Sequence, residues 1–196
     1  LIYDFMEVRR KALNLDELHM YDIFVNLSDG IDKDIPFEEG KKIVLEALKP
    51  LGDKYINDLS QAFTNNWIDV YPARGKKSGA YQWGCYDTTP YVLLNYENTV
   101  DDVSTMAHEL GHAMHSYYSN ENQDYIYSNY PIFLAEIAST VNEILLNEYL
   151  YRNATSREDK ITYLVDFLDK VRTTIVRQTM FAEFEKIIHE KENEGV

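Results

Sequence analysis

The sequence predicts a mainly α-helical protein that carries a small β-sheet. Apolar residues recur at intervals of three and four over most of the chain, which is the period of an amphipathic helix. Gly and Pro are scarce, at 8 and 5 of 196 residues, so few positions interrupt such helices. Residues 67–98 differ, because aromatic residues alternate there with turns that contain Gly and Pro, a pattern typical of short strands. We therefore expect one segment, residues 1–196, with a helical part at 1–66, a strand-rich part at 67–98 and a second helical part at 99–196.

The individual elements follow from local patterns. Helices are expected over residues 1–13, in two pieces after Pro36 that separate near residues 50–52, over 99–119, from Pro131 onward and over 157–190. Residues 19–27 are aromatic and β-branched, so a short extended stretch is expected there. Apolar residues at helical spacings on the last helix are expected to be buried, namely Tyr163, Phe167, Val171, Phe181, Phe184 and Ile188.

Charge and composition exclude several classes of protein. The chain has 33 acidic and 19 basic residues, a net charge of −14, which opposes binding to nucleic acid or to an anionic membrane surface. No apolar run approaches the roughly 20 residues that span a bilayer. The single cysteine, Cys85, is compatible with a reducing cytoplasm, and we expect a cytoplasmic protein. The sequence leaves the oligomeric state open. Because the chain begins without Met inside a helical pattern, we also expect a piece of a longer chain.

The chemical signal is an HExxH motif, His108-Glu109-Leu110-Gly111-His112. Residues four apart on a helix lie about 5–6 Å from each other, so the two imidazoles can converge on one metal ion. Glu109 lies beside them, where it can take a proton from an attacking water. Zinc would supply the remaining chemistry by polarising a carbonyl group and acidifying that water.

The surrounding helix supports this interpretation. Thr99, followed three residues later by Asp102, approximates a capping box that would start the helix. On a helical projection His112 shares the face of His108, together with His115 and others, whereas the opposite face is apolar. The apolar face comprises Val103, Met106, Leu110, Ala113, Met114 and Tyr117. We expect that face to be buried. His115 lies one turn beyond His112, so we expect it to pack or to support the site rather than to bind the metal.

A catalytic zinc site needs a third protein ligand. A metzincin would have Gly and His where this chain has His115 and Tyr118, so a carboxylate from a following helix is expected instead. Glu136 and Glu143 lie on one polar stripe of the next helix, and spacing alone leaves both open. Glu136 is favoured because its near neighbours are apolar, and a carboxylate in such surroundings needs a partner. The buried side of this helix is expected to be Leu134, Ala138, Val141 and Leu145.

A resemblance to a known family is carried by the segments GAYQWGCYDTTPYVLLNYENTVDDVSTMAHELGHAMHSYYS and FLAEIASTVNE. They resemble oligoendopeptidase F of the M3 family of zinc oligopeptidases, and the likeness extends from about residue 21 to residue 188. The resemblance implies a thermolysin-like zinc metallopeptidase catalytic core of the M3 oligopeptidase type. It implies one zinc ion per chain, bound by His108, His112 and Glu136, with Glu109 as general base. It also implies a deep channel that admits short unstructured peptides.

The resemblance also suggests a substrate-binding edge at Gly79, Ala80 and Tyr81. An exposed strand there would pair with the main chain of a peptide and would tolerate many side chains. The family has further His and Tyr residues that contact the substrate, in a part that follows the matched region, and we assign no such residue here. The sequence therefore predicts a zinc-dependent endopeptidase that cleaves short peptides by attack of an activated water. The alternative is a zinc-binding piece of such an enzyme that is catalytically incomplete.

Overall fold

The computed structural model describes residues 2–27 and 33–195. The helices are α1 (Ile2–Ala12), α2 (Phe37–Ala47), α3 (Asp53–Thr64), α4 (Val100–Asn122), α5 (Ile132–Asn153), α6 (Arg157–Val171) and α7 (Arg177–Glu194). The strands are β1 (Ile68–Asp69), β2 (Tyr81–Trp83) and β3 (Tyr91–Leu93). The predicted fold class, mainly α with a small β-sheet, is therefore confirmed. None of the described helices is long and apolar enough to cross a membrane.

The chain divides into two compact units, Leu1–Gly30 with Ala154–Val196, and Ile31–Asn153. In the first unit, the extended stretch predicted at residues 19–27 is wrong, because Met20–Phe24 forms a 3-10 turn. His19 starts this turn by donating its main-chain N–H to the Asp22 carboxylate at 2.8 Å. The buried guanidinium of Arg9 donates hydrogen bonds to the carbonyl oxygens of Asp22 and Ile23, at 3.2 and 2.9 Å. Those carbonyl groups are therefore used locally and do not form a strand ladder.

The helix predicted at residues 157–190 forms as α6 and α7, joined by a π-helical turn at Arg172–Val176. Tyr163 is buried, as expected. Phe181, Phe184 and Ile188 are exposed, so their predicted burial is wrong. The Arg177 guanidinium lies 5.3 Å from the centre of the Phe181 ring and shields part of that surface. Helical spacing identifies a face that can be buried, whereas burial itself depends on a partner element.

The second unit is built around α4 and a three-stranded sheet. The strand order is β1-β3-β2, with β1 and β3 parallel and β2 and β3 antiparallel. The expected apolar face of α4 is buried in the core, including Val103, Met106, Leu110 and Met114. The other faces of α4 meet the sheet and α5, which leaves its two motif histidines partly exposed. Because β2 is the outer strand beside α4, one edge of the sheet borders the histidines.

Helix α5 packs on α4 through a different face from the one expected. Its buried residues are Ala135, Ser139, Asn142 and Leu146, whereas the predicted Leu134 and Val141 are 41% and 39% exposed. The reason is the close contact between the two helices at Gly111. A methyl group built on Gly111 would lie 2.7 Å from the Cα atom of Ser139, so only a small residue fits the inner face. The contact therefore selects the small and polar residues of α5.

Candidate active site

The motif histidines lie in the third and fourth turns of α4, and the start of that helix is fixed by the predicted capping box. The Thr99 hydroxyl accepts the N–H of Asp102 at 3.1 Å, and the Asp102 carboxylate accepts the N–H of Thr99 at 2.9 Å. Both groups satisfy N–H donors that would otherwise lack a partner at the helix start.

Three predicted ligand atoms converge beside α4. The Nε2 atoms of His108 and His112 lie 3.1 Å apart, and the Oε2 atom of Glu136 lies 3.6 and 3.7 Å from them. Among the described residues, this is the group of His, Cys, Asp and Glu side chains that could hold a metal ion. Ligand atoms around a tetrahedral zinc lie about 3.3–3.6 Å apart. The donor set and its spacing therefore fit zinc.

Glu143, the alternative ligand, contacts the other side of the same ring. Its Oε2 atom lies 3.2 Å from Nδ1 of His108, whereas Glu136 approaches Nε2. The two ring nitrogens point in opposite directions, so a metal at Nε2 leaves Nδ1 free to donate to Glu143. Such a carboxylate fixes the tautomer and the orientation of a ligand histidine. The geometry thus gives the two glutamates different positions that spacing alone did not distinguish.

Glu136 is itself held by a neighbour on its own helix. The Ser139 hydroxyl, which is fully buried, donates to Oε2 of Glu136 at 2.9 Å and lies 3.1 Å from the carbonyl oxygen of Glu136. The Glu136 carboxylate is otherwise largely exposed to the cleft. The serine therefore reduces the freedom of a long side chain that would have many rotamers in water.

The histidines differ in proton affinity. Burial lowers the pKa of His108, but the hydrogen bond and charge of Glu143 outweigh that effect and the net pKa is raised. Burial lowers the pKa of His112, and the charge of His108 acts in the same direction. A neutral His112 offers the lone pair that a metal needs.

Glu109 is nearly buried, with 7% of its surface exposed. Burial raises the pKa of this carboxyl group. The charge of His108 and a hydrogen bond from the main-chain N–H of Gln82 oppose the shift, while the negative charge of Glu136 adds to it. A carboxylate with increased proton affinity is a better base than an ordinary surface glutamate.

The hydrogen bond from Gln82 follows from the register of the sheet. Val92 donates its N–H to the carbonyl oxygen of Trp67, just before β1, and Leu94 donates to that of Asp69 in β1. Leu93 between them therefore turns its main chain toward β2, where its partner is Tyr81. Because main-chain groups alternate along a strand, Gln82 directs its N–H and C=O away from β3 and toward the cleft. This edge of β2, the free edge of the sheet, lies beside α4.

The free edge, α4 and the start of α5 enclose a cleft of about 790 Å³. The predicted Ala80 and Tyr81 line it, together with both histidines, Glu109 and Glu136. Gly79 precedes the strand with φ at +86°, and its carbonyl oxygen accepts the side-chain N–H of Asn95 at 2.8 Å. A residue with that φ is strained unless it is glycine, so Gly79 allows the turn that leads into the edge.

Tyr130 and Ser116 also line the cleft, and His115 lies beside Tyr130. The Tyr130 ring stacks on the His115 ring, with centres 3.9 Å apart and planes within 4°. The Tyr130 hydroxyl is hydrogen-bonded to the hydroxyl of Ser116 at 2.5 Å. His115 thus packs against Tyr130, in the loop between α4 and α5, and lies outside the group of His108, His112 and Glu136 found among the described residues, in line with the packing role expected for it.

Sequence reasoning missed Gln82, Ser139, Asn142 and Tyr130. Gln82 could have been found from strand alternation if the pairing of β2 were known. Ser139 lies three residues after Glu136, within one helical turn, which is a local signal. Asn142 and Tyr130 act through tertiary contacts, and no local pattern marks them.

Comparison with known proteins decides the family. The chain matches the profile of Peptidase family M3 over residues 1–196. This chain belongs to peptidase family M3. Among the relatives of this M3 chain, Oligopeptidase PepF of Bacillus subtilis is 45% identical over 195 residues, covering 100% of this chain and 29% of that protein. Oligoendopeptidase F, chromosomal, of Lactococcus lactis subsp. cremoris is 44% identical, covering 100% of this chain and 32% of that protein.

Solved structures of the M3 type share its fold. A crystal structure of a Chlamydophila abortus protein has a TM-score of 0.90 and 45% identity, covering 100% of this chain and 33% of that chain. Oligoendopeptidase-F of Enterococcus faecium has a TM-score of 0.61 and 31% identity, covering 98% of this chain and 26% of that chain. The M3 chain therefore spans about a quarter to a third of the length of these relatives.

Proposed function

We propose that this M3 chain carries the catalytic site of a zinc-dependent endopeptidase that cleaves short unstructured peptides. The observation that supports this most strongly is the convergence of two imidazole Nε2 atoms and one carboxylate oxygen within 4.8 Å of one another. A nearly buried carboxylate, Glu109, lies in the same cleft. Relatives named oligopeptidase and oligoendopeptidase support a short peptide as substrate.

His108, His112 and Glu136 would hold one zinc ion per chain. When bound, zinc polarises the scissile carbonyl group and acidifies a water molecule. Glu143 keeps the proton of His108 on Nδ1, so that Nε2 presents its lone pair to the metal. Ser139 holds the Glu136 carboxylate toward the same point.

Glu109 would act as general base and then as general acid. Its carboxylate removes a proton from water while the oxygen forms a bond to the carbonyl carbon of the peptide. The same proton then passes to the leaving nitrogen as the carbon–nitrogen bond breaks. The raised pKa of Glu109 suits both steps, because burial makes the carboxylate more basic and its acid form is still able to donate.

The edge of β2 would bind the peptide main chain. The C=O of Gln82 points away from β3 and can accept an N–H of an extended substrate, whereas the N–H of Gln82 is used by Glu109. Such main-chain pairing selects little for side chains. Ala80 and Tyr81, which line the same cleft, would extend this contact, and Gly79 would support it through the turn. A cytoplasmic location is proposed from the single cysteine and from the peptide substrates.

Chelation-sensitive cleavage of a short fluorogenic peptide tests the proposed function. The purified protein is expected to cleave the peptide, to lose activity after treatment with a chelator and to regain it when about one equivalent of zinc per chain is returned. Magnesium added in the same amount serves as the control and should not restore activity. Cleavage that persists unchanged after complete chelation would contradict a zinc mechanism.

N-methylation of the substrate tests the strand edge. A series of peptides is made in which each carries one N-methyl group, moved one amide at a time along the same sequence. Cleavage should fall by about tenfold or more for every second peptide of the series, because only every second N–H faces the edge strand. The neighbouring methylated positions in the same series provide the matched control. A profile without a two-residue alternation would show that β2 does not pair with the substrate.

A second candidate function is zinc binding without turnover. The observation that favours it is that the chain spans 29–32% of the two curated relatives compared above. The cleavage assay separates the two functions, since this alternative predicts one zinc per chain and no chelator-sensitive hydrolysis.

A further inference from the structure

Asn142 forms a buried polar link among three helices. Its side chain is 1% exposed. Its Nδ2 atom donates to the carbonyl oxygen of Ala107 on α4 at 3.0 Å. Its Oδ1 atom accepts the hydroxyl of Tyr55 on α3 at 3.2 Å. Neither contact touches the ligand cluster, and the proposed chemistry does not use Asn142.

The link fixes α5 along its own axis. Ala107 immediately precedes His108, and Asn142 lies on the same helix as Glu136, six residues further on. Sliding α5 by a single residue would displace its side chains by about 1.5 Å along the axis and rotate them by about 100°. A buried amide that loses its hydrogen-bond partners is strongly unfavourable, so the native position of α5 is preferred.

Gly111 fixes the distance between the same two helices. A methyl group at this position would lie 2.7 Å from the Cα atom of Ser139 and 2.8 Å from the carbonyl oxygen of Ala138. Both distances are shorter than a carbon atom tolerates, so α5 could not approach as closely against any other residue. Gly111 therefore sets how near α5 lies to α4, and Asn142 sets its position along and around the axis.

We propose that Asn142 is a positioning residue for the metal site, which acts by holding α5 at the register that brings the Glu136 carboxylate to the two histidines. The inference rests on the proposed zinc site. A register error of 1.5 Å is comparable to a metal–ligand bond, so it would remove Glu136 from zinc while His108 and His112, both on α4, stay together. The effect of Asn142 on zinc should therefore pass through Glu136.

A double-mutant cycle measures this dependence. Zinc affinity is determined by competition with a chelator for the wild type, Asn142→Ala, Glu136→Ala and the double variant. Asn142→Ala should weaken zinc binding at least tenfold when Glu136 is present and less than twofold when Glu136 is absent. An equal loss in both backgrounds would overturn the proposal, because it would mean that Asn142 supports the histidines or the fold in general.

Matched variants separate positioning from stability. Tyr96→Phe also removes one buried hydrogen bond to a main-chain carbonyl, that of Ile35 at 2.9 Å, and the partners of Tyr96, Ile35 and Phe37, are not on α5. It should lower the melting temperature of the metal-free protein and leave zinc affinity within twofold of the wild type. An equal loss of zinc affinity in Tyr96→Phe would overturn the proposal.

Tyr55→Phe is the milder variant if Asn142→Ala fails to fold. It removes only the hydroxyl that orients the Asn142 amide, and it should weaken zinc in the same Glu136-dependent way. An effect of Tyr55→Phe that persists unchanged without Glu136 would contradict the inference. If Glu136→Ala itself leaves zinc affinity unchanged, the proposed ligand set fails, and the inference fails with it. If Glu136→Ala does weaken zinc binding but Asn142→Ala has the same effect with and without Glu136, the positioning role is refuted and the proposed ligand set stands.

Discussion

Glu109→Gln is expected to abolish peptide cleavage while zinc binding stays intact. The amide has nearly the shape of the carboxylate, and its oxygen can still accept the main-chain N–H of Gln82, so the nearly buried side chain keeps its place. It cannot take a proton from water at neutral pH. General-base catalysis contributes about 10²–10⁴-fold, and we expect kcat to fall by at least about 100-fold.

The measurement combines turnover of a fluorogenic peptide with the zinc content of the same sample. Glu121→Gln is the matched control, because Glu121 lies on the same helix, α4, and is exposed. The control should retain wild-type kcat. Wild-type turnover in Glu109→Gln would remove Glu109 from the mechanism, and loss of zinc in that variant would mean that the carboxylate supports the metal instead.

Glu136→Ala is expected to weaken zinc binding far more than Glu143→Ala. The Glu136 carboxylate faces the Nε2 atoms of both histidines, whereas Glu143 faces Nδ1 of His108 alone. Removal of a carboxylate that only orients a ligand histidine costs about 10–100-fold in metal affinity. Removal of a ligand should cost more than about 100-fold, or more than about 2.7 kcal/mol of binding free energy.

Both affinities are measured by competition with a chelator at one pH. Glu148→Ala provides the control on α5, since its carboxylate is exposed and pairs with Arg152. It should leave zinc affinity unchanged. If the Glu143→Ala variant had a lower zinc affinity than the Glu136→Ala variant, the third ligand would be Glu143.

Local sequence patterns were sufficient for α4. The capping residues Thr99 and Asp102 mark its start, and the four-residue interval of the motif places His108 and His112 on one face. Each of these features depends on residues within about one turn of each other. Helical geometry alone therefore predicts them, without knowledge of any partner element.

The choice between Glu136 and Glu143 could not be made in this way. The two are seven residues apart, close to two full turns, so they project from nearly the same side of α5. What distinguishes them is the height of α5 relative to α4, that is, the position of α5 along its own axis. That height depends on Gly111 and Asn142, which act across the interface between the helices.

Burial was mispredicted where a helix has more than one apolar side. On α5 the aliphatic residues Leu134 and Val141 outrank Ser139 and Asn142 in hydrophobicity, yet the latter two are buried. The close contact at Gly111 admits small side chains, and the buried amide is satisfied by its hydrogen bonds. The hydrophobicity of a residue predicts neither the space available at a helix contact nor the hydrogen-bond partners on the other helix.

The proposed function depends on a zinc ion held by His108, His112 and Glu136, and metal stoichiometry measures that ion most directly. The purified protein is stripped with a chelator, supplied with zinc, freed of excess metal and analysed by native mass spectrometry beside Glu136→Ala. We expect about one tightly bound zinc per wild-type chain and loss of that zinc in the variant. A wild-type chain that retains no zinc, or a variant that retains it fully, would contradict the proposed function.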